Sequence, residues 1–181
     1  LSALHRGDVV GAMAALRPPA SAGHAPSQVL LAFILDRADF AEEAVALYRD
    51  AAAQDDAEGH LGLAQAYLTG RGIAKDEKQA LRHFSKAAER GHPTATEVIA
   101  DAYIRGRLGL DDGDPAAALA AVRRAAEGGH LSSMEALAQA HRSGRWQLPL
   151  DAQQAAAWQA RALQLRAQRA ALRPDAARKS P

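Results

Sequence analysis

Seven histidines and one tight group of aspartates are the residues of this 181-residue chain best suited to chemistry. Imidazoles bind zinc when two of them share a helix face one turn apart, with a third ligand close by. His92 and His130 instead each follow a glycine that closes a helical segment, as connectors would. His60 and His141 fall on apolar helix faces, and no pair has zinc-motif spacing. Asp111-Asp112-Gly113-Asp114 offers oxygen ligands for calcium but lacks the alternating positions and closing glutamate of a calcium loop. It reads as a solvated, helix-capping turn. Gly70-Arg71-Gly72 is half of a dinucleotide fingerprint, yet it lies between two helical segments and follows no strand, so it reads as a helix end. No serine occupies a nucleophile elbow, and no two carboxylates share an expected pocket wall. These residues point to no metal, no cofactor and no catalysis.

The elements that carry them recur with a period. Tyr67 and Tyr103 stand 36 residues apart, Tyr103 and His141 stand 38 apart, and Asp76, Asp114 and Asp151 are spaced by 38 and 37. Self-similarity in this range marks a stacked array of helix pairs. In the unit 57–91, Leu63, Ala64 and Tyr67 share one face, with His60 a turn earlier. Gly70 ends that helix, Ile73 tucks the turn inward, and Asp76 caps a second helix whose inner face is Ala80, Phe84 and Ala87. Residues 93–129 repeat the pattern with Val122 in the aromatic place, and residues 131–167 repeat it with His141 for tyrosine and with Trp158. Residues 25–56 keep Leu31, Leu35, Ala44 and Tyr48 but have no glycine turn. Asp39 is expected to cap a helix over 40–53, with Glu42 completing a capping box. Residues 1–24 are expected to hold a helix stopped by Pro18-Pro19 and then a loop, because proline lacks an N–H and restricts its predecessor. A long last helix over 152–172 precedes a basic tail, 173–181, expected to be disordered.

On these residues, 57–91 above all, the chain resembles the Sel-one-like repeat, a relative of the tetratricopeptide repeat. The likeness covers roughly residues 25–167, within a repeat domain expected over 25–172. It implies an all-α, right-handed superhelix, a solenoid of about four helix pairs with an extra N-terminal helix and a long C-terminal capping helix. It also implies a role in protein–protein contact, often in exported or signalling proteins of bacteria, and no chemistry, since the shared residues are structural. In that superfamily first helices line the concave side. The corresponding positions are Phe33 and Arg37, Gln65 and Thr69, Asp101 and Arg105, and Gln139 and Ser143. They form either a polar partner-binding strip with one exposed aromatic, or a merely solvated face with Phe33 packed on the N-terminal helix.

Composition agrees. The 46 alanines and an aromatic content of 4% favour helices that approach closely but leave little to fill a central globular core. A net charge of +1 gives no general signal for polyanions. Arg161, Arg166, Arg169, Arg173, Arg178 and Lys179 nevertheless face only Asp175 in the last 21 residues. They read as the wetted outer face of a capping helix, or as a contact for an acidic partner, membrane headgroups or nucleic acid. Aromatics that could stack on bases are missing from the tail, which weakens the nucleic-acid reading. There is no cysteine, and the longest apolar run, 29–35, is far too short to span a membrane. The chain opens on leucine, as a product with an export signal removed would. The expectation is therefore a non-catalytic adaptor or assembly factor that binds another protein in the periplasm or beyond. A cell-wall or exopolysaccharide-associated module and a cytoplasmic regulatory adaptor are the alternatives.

Overall fold

The computed structural model describes residues 9–106 and 115–172, and among these every regular element is a helix. In order they are α1 (Val9–Ser21), α2 (Ala25–Arg37), α3 (Ala41–Ala53), α4 (Ala57–Thr69), α5 (Glu77–Glu89), α6 (Pro93–Ile104), α7 (Pro115–Glu127), α8 (Leu131–Ser143), a short 3-10 turn (Arg145–Gln147) and α9 (Ala152–Ala171). They divide into two compact units at Thr96 and Glu97, with α6 passing from the first to the second. The expectations placed on 107–114, the acidic turn included, and on the tail 173–181 lie outside the described residues.

In the first unit, from α1 to α5, each helix packs on the next, and α2 also touches α4, so first helices of successive pairs are neighbours. The apolar interior is a series of thin layers. One joins Leu31, Ala32, Leu35 and Ala44 with Leu16 at its edge, and the next joins Val45, Ala52, Leu63 and Ala66 with Ile73. Tyr48 packs against both. Glycine in mid-helix costs about 1 kcal/mol relative to alanine, yet α4 carries two. A Cβ on Gly62 would stand 2.3 Å from the Tyr48 ring, and one on Gly59 would stand 2.7 Å from the Ala52 backbone. These glycines are what let α3 lie against α4.

The helix ends follow two rules. Asp56, Asp76 and Asp151 cap α4, α5 and α9, each carboxylate accepting from the N–H three residues on at 2.8, 3.0 and 2.9 Å; such a cap is worth about 1 kcal/mol. The pair-closing ends at α1, α3, α5 and α7 put Gly23, Asp55, Gly91 and Gly129 in the left-handed region. The following N–H then returns to a carbonyl five residues back, as His92 N–H does to Ala87 O at 2.9 Å. That is the Schellman closure.

Two expectations about the N-terminal third are corrected. Asp39 does not cap α3. It takes the left-handed conformation (φ 65°), Phe40 N–H returns to Leu35 O at 2.9 Å, and α3 starts at Ala41 without a side-chain cap. With no glycine between α2 and α3, the tight turn uses one of the few other residue types that tolerate that region. Pro18 and Pro19 do not stop α1 either; both lie inside it, and α2 begins at Ala25 with no long loop between. The N–H groups the prolines lack would have served the carbonyls of Ala14 and Ala15, which belong to exposed residues, so the loss is cheaper than in a buried helix.

In the second unit α7 packs on α8 and α8 on α9. Tyr103, Val122, Met134, Leu137, Leu148 and Ala162 share its interior, with Trp146 and Trp158 partly buried against them. Trp146 and Gln147 stand where the sequence of α4's turn has its second glycine, and both are left-handed (φ 57° each). The Trp146 ring stacks on Tyr103 at 5.0 Å, a contact that offsets that strain.

Candidate interaction surface

The eight first-helix positions fall into two sets of four, one on each unit. On α2, Phe33 is 49% exposed, and the Arg37 guanidinium lies over its ring at 5.4 Å. On α4, Gln65 and Thr69 are exposed, and the Thr69 hydroxyl donates to Gln65 O at 2.8 Å. Both line a groove of about 200 Å³ whose floor is alanine, Val45 and Gly62 and whose rim is Asp36, Tyr48 and Arg71. On α6, Asp101 and Arg105 pair with each other at 3.3 Å, and Asp101 also faces the His130 ring at 3.8 Å. On α8, Gln139 and Ser143 are exposed and repeat the hydroxyl-to-carbonyl bond, here at 3.0 Å. Phe33 with Arg37 is thus a stacked pair, Asp101 with Arg105 an ion pair, and Gln65 and Gln139 are wall residues of separate grooves.

Several residues that hold these faces were not legible as partners in the sequence. The arginines that follow Gly70 and Gly144 each reach back to the preceding first helix. Arg71 donates to Asp36 O at 2.7 Å and pairs with the Asp36 and Asp39 carboxylates at 3.2 and 3.3 Å. Arg145 donates to Ile104 O at 2.9 Å. A cation on the last carbonyls of a helix is favoured by the helix dipole. The connector histidines also gain a role: His24 and His130 meet the hydroxyls of Ser27 and Ser133 at 2.7 and 2.8 Å, and His92 Nδ1 accepts from Ala95 N–H at 3.3 Å. The basic residues of α9 are exposed but make local contacts. Arg161 covers the Trp158 ring at 5.0 Å, Arg166 pairs with Glu135, and Arg169 donates to Gly129 O at 3.1 Å.

One titratable cluster lies between α4 and α5. His60 is buried, its Nδ1 stands 3.0 Å from Nδ1 of His83, and its Nε2 stands 3.5 Å from the Asp55 carboxylate. His83 stacks on Tyr67 at 5.7 Å. One proton bridges the two nitrogens, and a second would place like charges together. Burial pushes the His83 pKa down to about 4, with the His60, Lys86 and Arg82 charges acting the same way. Burial also lowers the His60 pKa, followed by the charge of Lys86. Among the described residues no group of three ligands able to hold a metal ion is present, here or elsewhere.

The unfolded chain therefore binds more protons than the folded one between the ordinary histidine pKa, about 6.5, and the depressed values. The stability these neutral rings contribute is whole above about pH 6.5 and is lost as the pH falls toward 4. A full shift at His83 corresponds to roughly 3 kcal/mol, which partial exposure of that ring reduces to about 1–2 kcal/mol. Thermal unfolding followed at pH 7 and pH 5 should show that loss in the native chain and a clearly smaller one in His83→Gln. Equal losses in the two proteins would remove the pair as its source.

The described helices contain none long and apolar enough to cross a membrane. Against known proteins, the Sel1 repeat family model matches residues 36–56, 57–92 and 131–165, together 92 of the 181 residues. An uncharacterized protein of Neisseria meningitidis serogroup B is 35% identical over 95 residues, which is 52% of this chain and 20% of that protein. The chain thus spans about a fifth of that relative's length. Among solved structures, a protective antigen of uropathogenic Escherichia coli strains, described as displaying an SLR fold, superposes with a TM-score of 0.68 at 25% identity. That match covers 87% of this chain and 34% of the antigen. A Sel1 repeat protein from Oxalobacter formigenes superposes with a TM-score of 0.64 at 24% identity, covering 84% of this chain and 63% of its own, and so shares the fold. Sel1 repeat proteins are generally helical scaffolds for protein–protein contact. Family match, consecutive helix pairs and SLR-fold neighbours agree, and the chain belongs to the Sel1 repeat family.

Proposed function

We propose that the chain is a non-catalytic adaptor that captures a partner protein on the exposed faces of its first helices. One observation carries the reading. In every pair the inner face of the first helix is buried, as with Leu31, Leu63, Ala100 and Leu137, while the outer positions stay exposed or half-exposed and polar apart from Phe33. Local contacts also hold those outer groups in place before any partner arrives: Arg37 on Phe33, Thr69 on Gln65, Arg105 on Asp101 and Ser143 on Gln139. Side chains already ordered lose less entropy on binding.

The test uses the α6 pair. Exchanging the charges, Asp101→Arg with Arg105→Asp, keeps an i,i+4 pair on the helix but inverts its polarity. Partner capture in a crosslinking pull-down should fall by about tenfold, the cost of misplaced charge at an interface, while the helical circular dichroism stays the same. Undiminished capture by a folded double variant would turn the proposal away from this surface.

We also propose that the adaptor works outside the cytoplasm, a reading supported by the E. coli neighbour being a protective antigen. Fractionation of cells expressing the full-length gene should recover it in the periplasmic or extracellular fraction, and recovery with cytoplasmic markers would refute the placement.

A further inference from the structure

The second unit carries a groove whose charge is not balanced from within. Helices α8 and α9 run antiparallel, and two facing stripes border the groove: Glu135, Gln139 and Arg142 on one side, Gln159, Leu163 and Arg166 on the other. Each stripe is spaced i, i+4, i+7, so each lies along one helix face. The floor is the buried pair Ala138 and Ala162, which leaves a volume of about 270 Å³. Arg142 bonds across the groove to the Gln159 amide oxygen, and Arg166 pairs across it with Glu135. Two guanidinium groups therefore stand at diagonal corners with a single carboxylate between them. Arg142 is held by a neutral amide, and α9 contributes no acidic residue of its own. Leu163, 56% exposed, sits between the two corners.

The groove on the first unit is different, because its one arginine, Arg71, is already answered by Asp36 and Asp39. Seven helical residues separate the levels of Glu135 and Arg142, which is about 10 Å along the axis. An extended chain covers that distance in about three residues. Guanidinium presents five donors in a planar fork, so Arg166 can keep Glu135 and still accept a second carboxylate.

We infer that the α8–α9 groove binds an extended acidic segment of a partner protein, with carboxylates three residues apart on Arg142 and Arg166 and an apolar side chain between them on Leu163. A nucleic acid fits less well, since no aromatic residue lines the groove and the ring that α9 carries, Trp158, is already covered by Arg161. A membrane surface fits less well because both cations are tied across a narrow cleft rather than projecting.

The inference rests on the adaptor reading and names the chemistry of one partner segment. Its test is a labelled synthetic peptide with the core Asp-Leu-Ala-Asp, titrated with the full chain and read by fluorescence anisotropy. Its Asn-Leu-Ala-Asn counterpart serves as control. The acidic peptide should bind, more weakly as salt rises, and Arg142→Gln and Arg166→Gln should each weaken it by about tenfold, the worth of one charge-assisted bond. The exchange at Asp101 and Arg105 should leave peptide binding unchanged. Equal binding of the two peptides would overturn the inference, as would native affinity in the folded Arg142→Gln, Arg166→Gln double variant. So would binding only to single-stranded DNA or to phosphatidylserine vesicles. If the peptide fails while the exchange at Asp101 and Arg105 still lowers partner capture, the groove assignment falls and the adaptor reading stands.

Discussion

Phe84→Ala should lower the stability of the first unit by roughly 3–5 kcal/mol, the range for deleting a buried large aromatic. Phe84 is 5% exposed, and its neighbours along the inner face of α5 are Ala80, Ala87 and Ala88, each almost wholly buried. Alanine has no side-chain torsion with which to move into a vacated space, so the cavity stays open. A core of larger residues would collapse further and lose less. Tyr103→Ala in the second unit should fall at the lower end of the same range. Tyr103 is 9% exposed, and the Trp146 ring stacked on it can settle toward the gap. Because repeat arrays lose cooperativity between blocks, each variant is best followed by hydrogen exchange resolved to single helices alongside denaturant unfolding. Protection should drop in α4 and α5 for Phe84→Ala, and in α6 to α8 for Tyr103→Ala. A loss below about 1 kcal/mol at both sites would contradict the assigned register of inner faces.

That register was readable because every local signal in residues 57–91 agrees with it. The capping aspartate, the alanines at the crossing, the inward Phe84 and the closing glycine each specify the same helix pair, and all are found in those roles. The reading failed where one residue type serves two ends. Aspartate favours both a helix N-cap and, next to asparagine, the left-handed region, and sequence alone gave Asp39 the commoner use. Only the closeness of α2 to α3 decides for the other. Pro18 and Pro19 were read as a stop because their missing N–H groups matter in a buried helix, and exposure of the residues one turn back is a tertiary fact. His83 escaped notice for a related reason. It is 23 residues from His60, a separation that matches no single-helix motif, and the two rings meet only because α4 and α5 fold back on each other. Gly59 and Gly62, unfavourable in a helix by propensity alone, mark the tightest contact of α4. The polar first-helix positions were found by their place in the repeat. Which of them line a groove depended on the partners of Arg71 and Arg142, which the repeat pattern does not give.

Gly72→Ala should cost the first unit about 3 kcal/mol or more, whereas Gly91→Ala should cost about 1. Both glycines are left-handed, at φ 67° and 82°, so both variants meet the same backbone penalty of about 1–2 kcal/mol for an L side chain. Their surroundings differ. A Cβ at Gly91 would have nothing within 4 Å. At Gly72 it would lie 2.3 Å from the Ala41 carbonyl oxygen and 2.8 Å from the Glu42 nitrogen, which are main-chain atoms at the start of α3. Backbone cannot swing aside as a flexible side chain would, so the turn must lift off α3, and forced overpacking of this kind adds about 1–3 kcal/mol. Lifting the turn would also loosen Arg71, next in sequence, from Asp36 and Asp39, and with it one rim of the first-unit groove. The Gly-Arg-Gly stretch that could be mistaken for a phosphate loop thus acts as a clasp between successive pairs. Its arginine holds the end of one helix, and its second glycine lies on the start of the next. Denaturant unfolding of the two variants side by side isolates the clasp from the shared backbone penalty. Equal losses would mean that the approach of Gly72 to Ala41 contributes nothing to holding the pairs together.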